Sequence, residues 1–136
     1  MGTTGTIAEN FKQGVHEGKV HRPIIIACDF DGVLHYGTFP EIGKPNTQLI
    51  AYLKNCRKCG IKVILYTMRE GDLLDRALEF CKLWDLEFDA VNDNLPEMQE
   101  IYKNNPRKIY FDYLIDDRIA LCGFGRRLPD LKKYGM

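Results

Sequence analysis

Apolar positions along the chain follow two rhythms. Ile24 to Cys28, Ile61 to Tyr66 and Tyr113 to Ile115 are short, nearly unbroken apolar runs. Such runs suit strands buried on both faces of a parallel sheet, and a shorter strand is predicted at Phe88 to Val91. Between them the spacing turns helical. Leu49, Ile50, Leu53 and Cys56 share one face of a helix capped by Asn46 or Thr47 and stopped by Gly60. Leu73, Leu74, Ala77, Leu78, Cys81 and Trp84 share a face of a second helix that begins at Asp72. Residues 32–45 carry Gly32, Gly37, Pro40, Gly43 and Pro45 without helical periodicity, which predicts a loop or small hairpin over the end of the first strand. The polar stretch 92–105 predicts one helical turn near Glu97 to Tyr102. Residues 1–22 read as a tail or a short helix around Ile7 to Val15, and 23–136 as one domain. Strands alternating with helices predict an α/β fold with a parallel sheet joined by right-handed crossovers.

Each long apolar run ends in polar chemistry: Asp29 and Asp31 after the first, Thr67 after the second, Asp116 and Asp117 after the last. Parallel strands bring these ends to one edge, where α/β proteins bind ligands. Asp29 and Asp31 lie two apart, so an extended backbone points both the same way. Two like charges side by side are costly without a cation or a shared proton. Arg107 or Lys108, just before the last strand, can reach the same edge; alternation sends only one inward, and Lys108 is the choice. Hard oxygen ligands, few in number and leaving room for water and a phosphate, suit Mg²⁺. Arg69 follows Thr67 at the mouth. It either forks onto a second anionic group of a substrate or serves as a surface ion-pair or helix-start residue. His35 reads as an exposed loop histidine without a role.

These stretches resemble the four motifs of the haloacid dehalogenase superfamily. Asp29-Phe30-Asp31-Gly32-Val33 is similar to the first, Thr67 after its hydrophobic strand to the second, Lys108 to the third, and Asp116-Asp117 to the fourth. The Arg-Glu-Gly after Thr67 and the Ile-Asp-Asp-Arg at the fourth motif are similar to short, capless members. The resemblance implies a three-layer Rossmann-like fold with a mostly parallel sheet, helices on both faces and no cap domain. It also implies a Mg²⁺-dependent phosphatase. Asp29 is then the nucleophile that forms an aspartyl-phosphate, and Asp31 the acid and base, which requires its pKa to be held up. Asp29, the backbone carbonyl of Asp31 and Asp116 then hold the metal, with Asp117 direct or through water. Thr67 and Lys108 bind the phosphoryl group. The intervals 34–60 and 68–107 are too short to house a cap, so the site is open and suits a large phosphorylated substrate or a cap lent by another subunit. Tyr36, Phe39, Tyr102 and Tyr110 are candidates for stacking or for packing.

Composition narrows the alternatives. Lys plus Arg equals Asp plus Glu at 19 each, so no net charge draws the chain to nucleic acid, except as a substrate end, or to a membrane surface. No apolar run approaches a membrane span, and five cysteines without a secretory leader point to reduced thiols in a cytoplasm. Cys56-x-x-Cys59 has no second pair and reads as packing. A phospho-accepting receiver-like module also clusters Asp, Thr and Lys at strand ends, but it carries its acidic pair first and a lone Asp later. A calcium-binding EF-hand loop fails, because Gly32 comes too early and Pro40 stands where the bidentate Glu belongs.

Overall fold

The computed structural model describes residues 22–117 and 129–135. The helix expected near Ile7 to Val15, Arg118 and Cys122 lie outside the described residues. The elements run β1 (Ile25–Cys28), α1 (Thr47–Lys58), β2 (Lys62–Leu65), α2 (Gly71–Leu83), β3 (Ala90–Val91), α3 (Pro96–Tyr102) and β4 (Tyr113–Ile115), then a 3₁₀ turn (Leu131–Tyr134). Sheet order is β3-β2-β1-β4 and every pairing is parallel. This is the α/β, Rossmann-like architecture.

Successive β1 residues face opposite layers. Ile26 and Cys28 pack with Val63 and Leu65 against Leu53 and Cys56 of α1 and Ala77 and Cys81 of α2. Ile25 and Ile64 face the other way, onto Leu95, Met98 of α3 and Ile109. The chain therefore winds outward from β1 to β3 with α1 and α2 on one face. It then returns on the opposite face through α3 to set β4 beside β1. The winding reverses between β1 and β4, the kind of crevice in which open α/β sheets place ligands.

Local chemistry explains the joints. Asn46 caps α1 by accepting from the Leu49 N–H at 3.3 Å, while its Nδ2 donates to the Val33 carbonyl at 2.9 Å. Asp89 accepts from the Val63 N–H at 2.8 Å and from Arg57 Nη2 at 3.0 Å, which ties the approach to β3 to α1. β4 matches its expected run, while the other three strands are shorter than theirs. Ile24, Ile61 and Tyr66 flank the ladders, and Phe88 and Asp89 lead into β3 without belonging to it. The turn expected near Glu97 begins one residue earlier, with Pro96 at the first helical position. Residues 32–45 form a loop with an isolated bridge between His35 and Pro45. Cys56 is buried and Cys59 half-buried. Among the described residues no helix is long and apolar enough to cross a membrane.

Candidate functional site

β1 ends at Cys28, and the Asp29 N–H donates to the Ile115 carbonyl at 2.9 Å, so Asp29 stands against the end of β4. Its Oδ1 accepts from the Phe30 N–H at 2.7 Å, which fixes the carboxylate's orientation. Asp116 and Asp117 follow β4 directly. Asp29, Asp116 and Asp117 each offer an oxygen within 4.8 Å of the others. Burial, with the charges of Asp116, Asp117 and Asp31 added, pushes the Asp29 carboxyl up to about 6, against the opposing hydrogen bond from Phe30.

That donor set fits a hard divalent cation: carboxylate oxygens from two neighbouring strand ends, whose mutual repulsion an ion would relieve. Gly32 leaves the space the set requires. Its φ is +75°, and a Cβ built there would lie 2.6 Å from Asp117 Oδ2. No side chain fits between this turn and Asp117.

Asp31 goes elsewhere. Alternation along an extended backbone sets Asp29 and Asp31 on one side, but the strand stops before either residue and the chain turns at Gly32. Asp31 Oδ1 accepts from His35 Nε2 at 2.8 Å and Arg69 Nη2 at 2.8 Å, and Oδ2 accepts from Arg69 Nε at 2.9 Å. Burial alone raises this carboxyl, but the hydrogen bonds from Arg69 and His35 and the charge of Arg69 outweigh it and hold Asp31 below the ordinary carboxylate value. The expectation of a carboxyl raised by acidic crowding is therefore corrected: the groups that crowd Asp31 are cationic and N–H groups.

Arg69 is likewise not at the mouth. It is 2% exposed and committed to Asp31, to the Pro40 carbonyl at 3.0 Å and to the Leu73 carbonyl at 3.2 Å, with its Cζ 5.0 Å from the Phe30 ring centroid and 5.1 Å from that of Phe39. Such an arginine cannot grip a substrate's second anion without abandoning Asp31. Both sequence readings of Arg69, substrate clamp and surface residue, give way to a buried one.

His35, unassigned from sequence, is fully buried. Its Nδ1 accepts from the Gly37 N–H at 2.9 Å and the Gly43 N–H at 3.1 Å, so the ring proton sits on Nε2 and is donated to Asp31. The relevant signals, an Asp four residues upstream and glycines at 37 and 43, form no pattern that distinguishes it from a loop histidine.

Thr67 ends the β2 connection half-buried, its N–H donating to Asn92 Oδ1 at 2.8 Å and its Oγ1 accepting from the Arg69 N–H at 3.1 Å. The hydroxyl proton is left to donate. Lys108 is exposed, its carbonyl accepts from Asn94 Nδ2 at 3.2 Å, and it lines a cavity of about 510 Å³ with Met98, Tyr102 and Tyr110. Among the described residues no hydrogen bond or ion pair joins Lys108 to Asp29. Arg107 is also exposed. The structure thus brings together Asp29, Asp116 and Asp117, places Thr67 at the end of the adjacent β2, and pairs Asp31 with Arg69.

No protein-family model and no curated protein matches the sequence. A solved structure of a conserved protein from Bacteroides thetaiotaomicron is similar in both fold and sequence. It is 33% identical with a TM-score of 0.63, and the match covers 85% of this chain and 93% of that one. The chain belongs to the same family as that protein. The match spans most of both chains, so the two proteins share the α/β fold.

Proposed function

We propose that the protein is a Mg²⁺-dependent phosphohydrolase that works through an aspartyl-phosphate on Asp29. The observation that carries this reading is the convergence of Asp29, Asp116 and Asp117 at the β1–β4 crevice, 4.8 Å or less apart. Asp29, Asp116 and Asp117 would hold the ion. When bound, it supplies charge neutralisation that lets an anionic carboxylate approach an anionic phosphate.

The chain's own groups then divide the work. The Phe30 N–H holds Asp29 Oδ1, leaving Asp29 Oδ2 to attack phosphorus. The P–O ester bond breaks and the leaving group departs with the bonding pair. Thr67 donates its hydroxyl proton to a phosphoryl oxygen. Water next attacks the phosphorus of the acyl phosphate, releasing inorganic phosphate and restoring Asp29. Asp31, kept ionised by Arg69 and His35, takes the proton from that water on Oδ2, the oxygen with only one partner. Held ionised, Asp31 has no proton to give the leaving group in the first step; it works only as the base of the second and then releases that proton to solvent. Lys108 has no part in this scheme where it stands.

The test is phosphate release from an aryl phosphate by the purified full chain. We expect turnover with Mg²⁺, loss of it with EDTA, and loss in Asp29→Asn with an unchanged circular dichroism spectrum. Turnover that survives Asp29→Asn removes the nucleophile. A long-lived phosphoprotein after acetyl phosphate treatment favours a phospho-accepting module instead.

A further inference from the structure

Asn94 is buried, and both polar atoms of its amide are spent on holding one segment in place. Its Nδ2 donates to Asn105 Oδ1 at 3.1 Å and to the carbonyls of Pro106 at 3.1 Å and Lys108 at 3.2 Å. Its Oδ1 accepts from the Tyr110 N–H at 2.7 Å. This clasp pins residues 105–110 beside α3 and leaves a cavity of about 510 Å³ between them, lined by Met98, Tyr102, Asn104, Pro106, Lys108 and Tyr110. The segment cannot fold into that space cheaply, because each clasp bond broken leaves a buried polar group unpaired. The cavity is therefore preformed.

Its walls are mostly apolar, and its two tyrosines meet at one guanidinium. Arg22 Cζ lies 4.5 Å from the Tyr110 ring centroid, and Arg22 Nη1 donates to the Tyr102 hydroxyl at 3.4 Å. Lys108 lines the same space, and among the described residues no carboxylate does. The acids on the neighbouring segments are committed: Asp112 accepts from the Ile25 N–H at 2.9 Å and Glu100 from Lys103 Nζ at 2.7 Å. An occupant thus meets flat apolar walls and positive charge. Arg22 leads into β1 and Tyr110 into β4, so the tyrosine wall stands by the strand starts, whereas Asp29, Asp116 and Asp117 follow the strand ends. The cavity is separate from the carboxylate edge and owes nothing to the reaction proposed there. Largely apolar cavities of this size with a few polar groups take small molecules. An aromatic ring packs well on tyrosine, and an anion pairs with an ammonium. We propose that this cavity binds a small aromatic molecule carrying one anionic group, its ring against Tyr102 and Tyr110 and its charge on Lys108.

The experiment titrates naphthoate, and the uncharged naphthalenemethanol, into the full chain with isotope-labelled methionine methyl groups, followed by NMR. Met98 lines the cavity, and the fully exposed Met68 is the internal control. We expect a saturable ring-current shift at the Met98 methyl with Met68 unmoved, and the alcohol bound about threefold more weakly. Lys108→Gln, at an exposed position, is expected to weaken naphthoate about threefold and leave the alcohol unchanged. Tyr102→Ala, also exposed, is expected to weaken both about fivefold. Asp29→Asn binds as wild type does, whatever becomes of turnover. A Met98 methyl that does not shift overturns the site. Equal affinity for the two ligands, unmoved by Lys108→Gln, overturns the anionic group.

Discussion

The crowded carboxylates at the acidic edge weaken the fold when no cation compensates them, and Asp29→Asn measures by how much. Asp29 titrates at about 6 in the folded chain against an ordinary 3.8. Raising a carboxyl's pKa by one costs its ionised form about 1.4 kcal/mol, so the full rise represents about 3 kcal/mol of ionisation penalty. Asp29 is only partly buried and water screens its neighbours, which reduces the figure by about half. The sign follows from linkage. A carboxyl whose folded pKa lies above its unfolded one is ionised more readily in the unfolded chain, so the wild type loses stability as pH rises from about 4 to about 6. Above that range the loss is constant, and below it the loss vanishes.

Asparagine keeps an oxygen to accept from the Phe30 N–H at 2.7 Å and puts an amide where the charge was. Asp29→Asn is therefore expected to be about 1–2 kcal/mol more stable than wild type at pH 7.5 in EDTA, and equal to it below pH 4. Urea unfolding at several pH values, with and without Mg²⁺, measures this. On the proposed metal site, added Mg²⁺ is expected to stabilise the wild type by mass action and the variant far less, reversing the order of stability. A wild type that stays as stable as Asp29→Asn at every pH in EDTA refutes the electrostatic account of this edge.

Two further changes probe its neighbours. Gly32→Ala sets a methyl group 2.6 Å from Asp117 Oδ2 at a φ of +75°, so the carboxylate must swing aside. We expect a fold weakened by about 1 kcal/mol and Mg²⁺ affinity lowered about tenfold, read by calorimetric titration. Arg69→Met fills the same buried space but leaves Asp31 with His35 alone, and is expected to cost about 3 kcal/mol at pH 7 in urea unfolding. Because Asp31 is held below its ordinary value, the stability from this pair exists above the unfolded pKa and is lost as pH falls through the folded one. The cost of Arg69→Met must therefore shrink in acid, and a cost independent of pH removes the charge pair as its cause.

The strands and helices are legible in the sequence because burial on two faces and on one face leave different apolar periods, and β1, α1, β2 and α2 carry them cleanly. The strand ends follow from parallel topology, which assigns Asp29 and Asp116-Asp117 to one edge from positions far apart in sequence. What escapes is whatever depends on partners that no local pattern encodes. Arg69 reaches back across 38 residues to Asp31, and the burial of His35 depends on glycines at 37 and 43 closing the loop around it. Lys108 precedes β4 in sequence, yet Asn94 holds its backbone in the segment that packs beside α3.

The most instructive failure lies in the first motif. Strand alternation holds only as far as Cys28, the last strand residue, and carrying it further makes Asp29 and Asp31 one pair of like charges in need of a single cation. The folded chain meets that electrostatic problem twice, by different means. Asp31 is neutralised within the protein by a buried guanidinium that cannot leave, and among the charges that raise Asp29 it ranks last. Asp29 faces Asp116 and Asp117 instead, so the attraction for a diffusible ion is concentrated there. A permanent partner for one aspartate leaves the unmet negative charge of this edge on the other and its two acidic neighbours.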